Sequence, residues 1–461
     1  MSEGAPTNWG RTVPAGGRRS AEASSFRFLA AGRGLPGGSQ GAVLPYGNGR
    51  SYGDSCLNDH GTLIDSRASA RILSFDPETG LVEAEAGLLL SEVTRLAAPH
   101  GWFLSVTPGT QFVTLGGAVA NDVHGKNHHV RGTFGRWVRA FRLERSDRGP
   151  LDCSLGENTD LFRATIGGMG LTGLILRVTL QLLKVPSLSI DETTTRFDAL
   201  ADYFRLAEEA DGRHEYAVAW IDSLASGASL GRGHLIAGDH AAEGSLDGTA
   251  RPPLTSIPFT PPVSPLRGLA LKAFNEVYFR KSPAGTSRRS VAFDGFFYPL
   301  DRIGAWNRLY GPNGLHQHQS VVPFQDAERV VRALLECAGH HRQGSFLTVL
   351  KRFGPAESPG LLSFARPGYT LTLDFPHRGT RTLALLDELD ALVVSAGGAV
   401  NPYKDSRMAP QTFAASFPEW RALEAMRDPA VLSDFWRRTA MTLAAHDCDD
   451  RVVSFKCAGR R

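Results

Sequence analysis

Three glycine clusters, one histidine-rich run and one lysine–aspartate–serine–arginine run hold most of the residues in this sequence that could do chemistry. The clusters are Gly47-Asn48-Gly49-Arg50-Ser51-Tyr52-Gly53, Thr114-Leu115-Gly116-Gly117 and Gly167-Gly168-Met169-Gly170-Leu171-Thr172-Gly173. Backbone N–H groups can meet a diphosphate only where no side chain blocks the approach, so glycines at consecutive turns suit one. The last cluster contains a literal G-x-G-x-x-G, but Gly173 opens the strand-like LILRVTLQLL and not a helix, which excludes a Rossmann fingerprint. Gly116-Gly117 precede AVANDVHG, which reads as a short helix whose N-terminus would add a favourable dipole for an anion. A single cluster usually marks no more than a tight turn. Three of them in one half of the chain predict a cradle for a dinucleotide cofactor.

The other two runs are ambiguous on their own. Asp122-Val123-His124-Gly125-Lys126-Asn127-His128-His129 groups three imidazoles, whose ordinary role is structural hydrogen bonding. No carboxylate or thiolate stands at a fitting interval, so no metal is expected. In Tyr403-Lys404-Asp405-Ser406-Arg407 a lysine beside an aspartate reads as a surface ion pair, and Tyr52 as an aromatic packed in a turn.

Two α+β units must position these residues. From Gly41 to about Val185, short strands such as Thr62–Ile64 and Leu81–Ala86 alternate with glycine turns and a helix at Ser91–His100, and Leu174–Val185 alternates like a half-buried strand. Beyond Val185, strand-like pieces (Glu215–Ile221, Ser345–Leu350, Tyr369–Phe375) alternate with helices at Ala327–Ala338 and Thr382–Ser395, the second stopped by Gly397-Gly398. An antiparallel sheet with helices is the simplest second unit. Ser223–Pro265, rich in Gly, Ser and Pro, reads as a mobile loop. It runs into a helix at Leu266–Phe279, expected to pack through Leu266, Leu269, Ala270, Ala273 and Phe274, with a membrane-facing lid as the other reading.

Composition narrows the function classes. At 461 residues the chain exceeds a single core. Lys+Arg of 50 against Asp+Glu of 47 gives a net charge of +3, too balanced for a nucleic-acid footprint. Cys56, Cys153, Cys337, Cys448 and Cys457 are scattered and form no C-x-x-C pair, which points to a reducing compartment. Met1–Ser20 lacks the apolar stretch of a signal peptide and no run suits a membrane span, so a cytoplasmic protein is expected, with at most a peripheral contact on the inner membrane.

The motifs then become specific. LPYGNGRSYGDSCLN (Leu44–Asn58) resembles the first FAD loop of the vanillyl-alcohol-oxidase, or PCMH-type, flavoproteins. PGTQFVTLGGAVANDVHGKNHHVRGTFG (Pro108–Gly135) and NPYKDSRM (Asn401–Met408) resemble one branch of them, the decaprenylphosphoryl-ribose 2-oxidases, and the similarity runs from Asn8-Trp-Gly-Arg-Thr to the C-terminal helices. The resemblance implies an α+β fold: a PCMH-type FAD-binding domain of two subdomains over 1–185, a substrate domain with an antiparallel sheet over 186–400, and a C-terminal segment, 401–461, returning to the FAD domain with an active-site lysine. It implies FAD-dependent oxidation of a sugar hydroxyl, the 2-hydroxyl of a polyprenyl-phospho-ribose. A short-chain dehydrogenase would complete the epimerisation to arabinose, and a quinone could accept the electrons.

Residue by residue, the resemblance places Lys404, His124 and Tyr52 in the catalytic machinery. It assigns the cofactor to Tyr46, Gly47, Asn48, Gly49, Arg50, Ser51, Tyr52, Gly53 and Asp54; to Gly109, Thr110, Thr114, Leu115, Gly116 and Gly117; to Asn121, Asp122, His124, Gly125 and Asn127; and to Gly170, Gly173, Ile175 and Lys404. Lys126, Tyr298, Gln317, Gln319, Lys351 and Thr372 would line the substrate pocket. Lys404 could stabilise an anionic ring or, if desolvated, accept the hydroxyl proton. His128 and His129 are expected to be structural. Several relatives attach FAD through a histidine where this chain has Arg50, a poor nucleophile, so the cofactor is expected to be dissociable. The chain departs from the family where Thr372 replaces a pocket cysteine, Asn401 replaces an aromatic, and His318 and Ser320 flank Gln319 in place of aromatics. Two other readings stand beside this one. A soluble alditol or aldonolactone oxidase would turn over free sugar alcohols with peroxide release, and a silent flavin-binding protein would never be bleached by a polyol.

Overall fold

In the computed structural model, residues 8–12, 42–59 and 61–445 are described. Cys448, Cys457 and most of Met1–Ser20 lie outside them.

Period-two alternation builds the first sheet. In Leu174–Gln181, Val178 and Leu180 are buried while Arg177 and Thr179 are partly exposed, and the strand takes the centre of a five-stranded antiparallel sheet. The order is Ile72–Asp76, Leu81–Glu85, Leu174–Gln181, Val138–Arg145, Gly149–Ser154. Its buried positions, among them Val82, Ala84, Phe141 and Leu143, share a core with Leu90, Val93 and Ala97 of the helix Leu90–Ala97.

The second sheet has eight antiparallel strands in the order Thr286–Ala292, Ser189–Phe197, Gly233–His240, Tyr216–Ile221, Val349–Phe353, Gly368–Pro376, Leu315–Val322, Ala399–Val400. Register sorts its two faces. Gln317 lies opposite Asp374, Gln319 opposite Thr372, and Lys351 opposite Thr370, so these polar side chains share one face. Leu350, Leu371, Leu373 and Phe375 take the other face, in one core with the helices Ala327–His340 and Thr380–Ser395. Every residue of Leu315–Val322 and Gly368–Pro376 is buried, the polar ones included. Polar groups on a covered sheet face must find hydrogen-bond partners in one another or in a ligand.

Several expectations change. Ser223–Pro265 is not one loop: Gly233–His240 is an inner strand of the second sheet, burying Leu235 and Ala237. Glycine, serine and proline on both sides of this strand dominate the composition and hide it. The strand expected at Ser345–Leu350 begins at Val349, because the Ser345 backbone is held by the Ser223 side chain instead of a ladder. The helix Gly268–Arg280 packs through Leu271, Asn275 and Phe279, leaving Leu269 at 85%, Phe274 at 40% and Val277 at 71% exposure. Gly116-Gly117 lie inside the helix Leu115–Ala120, not before it.

Candidate active site

The strand Val43–Tyr46, paired in parallel with Thr62–Asp65, delivers the chain into the turn 47–53. Gly49 there has φ +59°, the left-handed region that favours glycine. The turn is wedged: a Cβ on Gly47 would lie 2.5 Å from Thr114 Oγ1, and one on Gly53 would lie 1.6 Å from the backbone oxygen of Asp405. Asn8–Thr12 straps across it, with Trp9 N donating to Ser51 O, Asn8 Nδ2 to Gly53 O at 3.1 Å, and the Arg50 guanidinium 4.4 Å from the Trp9 ring centroid. Among the described residues, the backbone N–H groups of residues 47–53 have no partner, and Arg50 Nε is buried without one. A Cβ on Gly109 or on Gly170 would meet nothing within 4 Å. Unpaired amides on a half-buried turn, a buried unpaired guanidinium nitrogen and two glycines facing open space fit a diphosphate-bearing cofactor such as FAD.

The second glycine cluster does something else. Leu115 N donates to Leu88 O, Gly116 N to Ala86 O and Gly117 N to Thr114 Oγ1, so these amides are already satisfied. Gly116 serves close packing, since its Cβ would stand 2.9 Å from the Ala86 Cβ. The expected anion site at this helix start is therefore withdrawn. Asp122 and Asn127 also turn away from the cradle. Asp122 accepts from Gly135 N (2.8 Å), Ser358 Oγ (2.5 Å) and Ser363 Oγ (2.6 Å), and Asn127 Nδ2 donates to Ser105 O (2.9 Å) and Glu215 (3.1 Å). Buried polar groups need such partners, which commits the Asp122 carboxylate and the Asn127 Nδ2 to the scaffold, while Asn127 Oδ1 is buried without a partner among the described residues. Asn48 and Asn121 hold local backbone through Phe112 O and Gly117 O, Thr110 Oγ1 accepts from Phe112 N, and Ile175 lies in the core of the first sheet.

The loop after Ala399–Val400 brings Lys404 to the same turn. Lys404 Nζ stands 5.6 Å from the centroid of the Tyr52 ring. Arg438 clamps the two segments: its guanidinium donates to Asp54 at 2.7 and 3.0 Å, to Asp405 at 2.9 Å and to Met408 O at 2.6 Å. Burial pushes the Asp54 carboxyl up despite this partner, while Arg407 and Arg438 hold Asp405 below the usual carboxylate range against its own burial. Arg438→Met leaves two buried carboxylates under-compensated and is expected to cost about 3–5 kcal/mol. Urea unfolding checks this; an unchanged midpoint would show the clamp to be energetically idle.

The pocket faces this junction. Lys351 Nζ donates to His124 Nδ1 at 3.1 Å, Gln319 Nε2 lies 3.1 Å from His124 Nε2 and 3.0 Å from Thr370 Oγ1, and Asn401 Nδ2 donates to Gln319 Oε1 at 2.9 Å. Burial, with Lys351 and Lys404 nearby, holds His124 well below the usual histidine range, so the imidazole is neutral. Burial, then Lys404 and Lys126, push Lys351 down to about 7. Burial pushes Lys126 down to about 8, and its amine donates to Phe296 O. Tyr298 is fully buried with its hydroxyl on Thr107 Oγ1 (2.7 Å), so it offers the pocket no free hydroxyl. His128 is buried against Phe353, and His129 Nε2 lies 2.9 Å from His214 O. His318, one residue from Gln319, points to the helix-covered face and meets Asp390 at 3.1 Å, so neither it nor Ser320 replaces an aromatic in the pocket.

Sequence reading missed Asp374, Thr370 and Tyr310. Thr370, Thr372 and Asp374 repeat at period two opposite Gln317 and Gln319, and that parity was the available signal. Among the described residues, Cys337, His341 and Glu388 converge on the helices behind the sheet, where His341 Nε2 lies 2.9 Å from Glu388.

Residues 38–148 match the FAD binding domain family. The chain is 35% identical over 451 residues to the decaprenylphosphoryl-beta-D-ribose oxidase of Mycolicibacterium smegmatis, covering 93% of this chain and 96% of that one. It is 36% identical over 371 residues to an uncharacterized protein of Streptomyces coelicolor, covering 77% of this chain and all of that one. Similarity to the L-gulonolactone oxidase of Mus musculus, 34% over 154 residues, covers about a third of each.

Proposed function

The chain belongs to the decaprenylphosphoryl-beta-D-ribose oxidase family of FAD-dependent oxidoreductases, and from that premise we propose that it oxidises the 2-hydroxyl of a polyprenyl-phospho-ribose to the 2-keto sugar. The reaction class is FAD-dependent oxidation of the ribose. The observation that carries the finer reading is the junction where the 47–53 turn meets the Lys404 loop so closely that Gly53 has no room for a Cβ. A similarity of 154 residues is too short to span Gly47 and Lys404 together, so the aldonolactone oxidase reading has no comparable support.

FAD would be held by the amides of residues 47–53 and the open backbone at Gly109 and Gly170; when bound it supplies the two-electron acceptor for the carbinol C–H. Lys404 works as a cation beside it, because Asp374 offsets the loss of basicity that burial imposes. Neutral His124, fixed by Lys351, orients the sugar by hydrogen bonding. Lys126, Lys351, Gln317, Gln319 and Thr372 supply ammonium, amide and hydroxyl groups suited to a phosphorylated polyol. Thr372 offers no thiol, so reagents that attack a pocket cysteine should not label this strand. Anaerobic mixing of the yellow protein with a phosphoprenyl ribose should bleach the flavin absorbance, and free alditols should not. Bleaching by alditols alone would overturn the reading.

The cofactor is read as dissociable, since Arg50 stands at the attachment position. Acid precipitation is expected to release all flavin into the supernatant; colour retained in the pellet would refute this. No helix among the described residues is long and apolar enough to cross a membrane. Leu254, Phe259, Val263, Leu269 and Val277 are exposed in a stretch that also carries Arg251, Arg267, Lys272, Arg280 and Lys281, which supports a peripheral contact with an anionic bilayer that holds the lipid substrate. Leu269→Glu with Val277→Glu should abolish cosedimentation with anionic vesicles, and undiminished binding would move the contact elsewhere. A separate short-chain dehydrogenase would reduce the keto sugar toward arabinose and a quinone would reoxidise the flavin. Added quinone failing to restore the yellow colour would remove that acceptor.

A further inference from the structure

Behind the second sheet, on the face opposite the polar pocket, the helices Ala327–His340 and Thr380–Ser395 carry three side chains that the flavin chemistry does not use. Cys337 and His341 stand four residues apart at the end of the first helix. His341 N donates to Cys337 O at 3.1 Å, so that helical turn is complete and the two side chains share one face. Glu388 of the second helix meets them, with its carboxylate 2.9 Å from His341 Nε2. The Cys337 sulfur, a His341 ring nitrogen and a Glu388 oxygen all lie within 4.8 Å of one another. Nothing in the sequence spacing joins Glu388 to the other two; the packing of the helices does. A histidine–glutamate pair alone would be ordinary surface chemistry of little consequence. The free thiol beneath it makes a ligand set.

Depth and geometry suit a small, borderline-soft cation. Cys337 is 4% exposed, whereas the side chains of His341 and Glu388 are 26% and 57% exposed, so the sulfur forms a floor and the other two an accessible rim. Zinc takes sulfur at about 2.3 Å and nitrogen or oxygen at about 2.0–2.2 Å in a tetrahedron, which sets ligand atoms about 3.3–3.7 Å apart. The contact at 2.9 Å must open slightly and the widest, at most 4.8 Å, must close by about 1 Å. Rotation of the two rim side chains is enough for that. One thiolate and one carboxylate neutralise a divalent ion, while calcium or magnesium would ask for an all-oxygen shell. The rim opens on a groove lined in part by Ala384, one turn before Glu388 on the same helix face, whose small side chain leaves room for a water ligand. Arg342 and Arg381 line the same groove and repel a further cation, which limits the site to one ion.

We propose that Cys337, His341 and Glu388 form a zinc site with water in the fourth position, clasping the end of Ala327–His340 to Thr380–Ser395. Binding exchanges a proton for the ion: the S–H bond of Cys337 gives its proton to solvent, a sulfur–zinc bond forms, and no electron is transferred. The site is separate from the flavin cradle and independent of the substrate assignment.

The test is a titration of the holoenzyme, stripped of metal with EDTA and kept reduced and anaerobic, with Co²⁺ and then Zn²⁺. Cobalt should bind at one equivalent with sulfur-to-cobalt charge-transfer absorption, read as a difference from the flavin spectrum, and zinc should displace it. Cys337→Ser should abolish that absorption. His341→Ala and Glu388→Ala, both at the rim, should each weaken zinc binding by about 100-fold or more, beyond what loss of an outer-shell contact costs. They keep the test available if Cys337→Ser fails to fold. Zinc should also raise the unfolding temperature of the unmodified protein, and raise it less in either rim variant. Charge-transfer absorption that persists in Cys337→Ser belongs to another thiol and overturns the proposal. Zinc affinity unchanged in either rim variant overturns it as well, and so does the absence of a cobalt signal in the unmodified protein.

Discussion

Replacing Lys404 with alanine should give a folded, yellow protein whose flavin is reduced by substrate about 10²–10³-fold more slowly, the usual cost of losing one preorganised charge in a water-excluded site. Folding should survive because the substitution removes a desolvated ammonium that also repels Lys351, while Asp374, already pushed up to about 7 by burial, takes up a proton once that cation is gone and keeps its hydrogen bonds with Gln317 and Tyr310. FAD binding should survive because the amides of residues 47–53 are untouched. Stopped-flow reduction under anaerobic conditions reads the effect. Rates equal to those of the unmodified protein would take Lys404 out of the mechanism, whereas loss of colour would mean that the lysine holds the cofactor and not the reaction.

Gly53→Ala should be more damaging than its single added methyl group suggests. The new Cβ would lie 1.6 Å from Asp405 O and 2.3 Å from Asp405 C, and both are backbone atoms that no rotamer change can move aside. Either the 47–53 turn or the Lys404 loop must shift, and with it the Arg438 clamp on Asp54 and Asp405. A loss of at least about 3 kcal/mol is expected, together with most of the bound flavin. Thermal unfolding and the ratio of flavin to protein absorbance measure both. A variant with unchanged melting and full flavin content would mean that the two segments do not meet as described.

These two residues also separate what was legible in the sequence from what was not. Lys404 was readable only through the run Tyr403–Arg407, since a lysine beside an aspartate is ordinary surface chemistry. Gly53 was readable as a turn glycine, but its reason for being glycine is a contact with residue 405, which no local pattern encodes. Gly116 and Gly117 had the same local appearance and proved to be a packing contact with satisfied amides. The strand Gly233–His240 was missed because composition averages over neighbours, whereas a strand needs only a few alternating positions and a free sheet edge to pair with.

The amino-acid order alone determined the α+β class, a minority of the sheet strands (Leu81–Glu85, Leu174–Gln181, Tyr216–Ile221 and Gly368–Pro376 among them), the helices read at Ala327–Ala338 and Thr382–Ser395, and the glycine-rich first half that suits a dinucleotide, because periodicity and turn chemistry act over a few residues. Which polar side chains face one another was decided by tertiary structure. Asp374, Gln317, Lys351, His124, Tyr52 and Lys404 come from separated segments, and register and burial bring them into one low-dielectric space where each alters the charge state of the others.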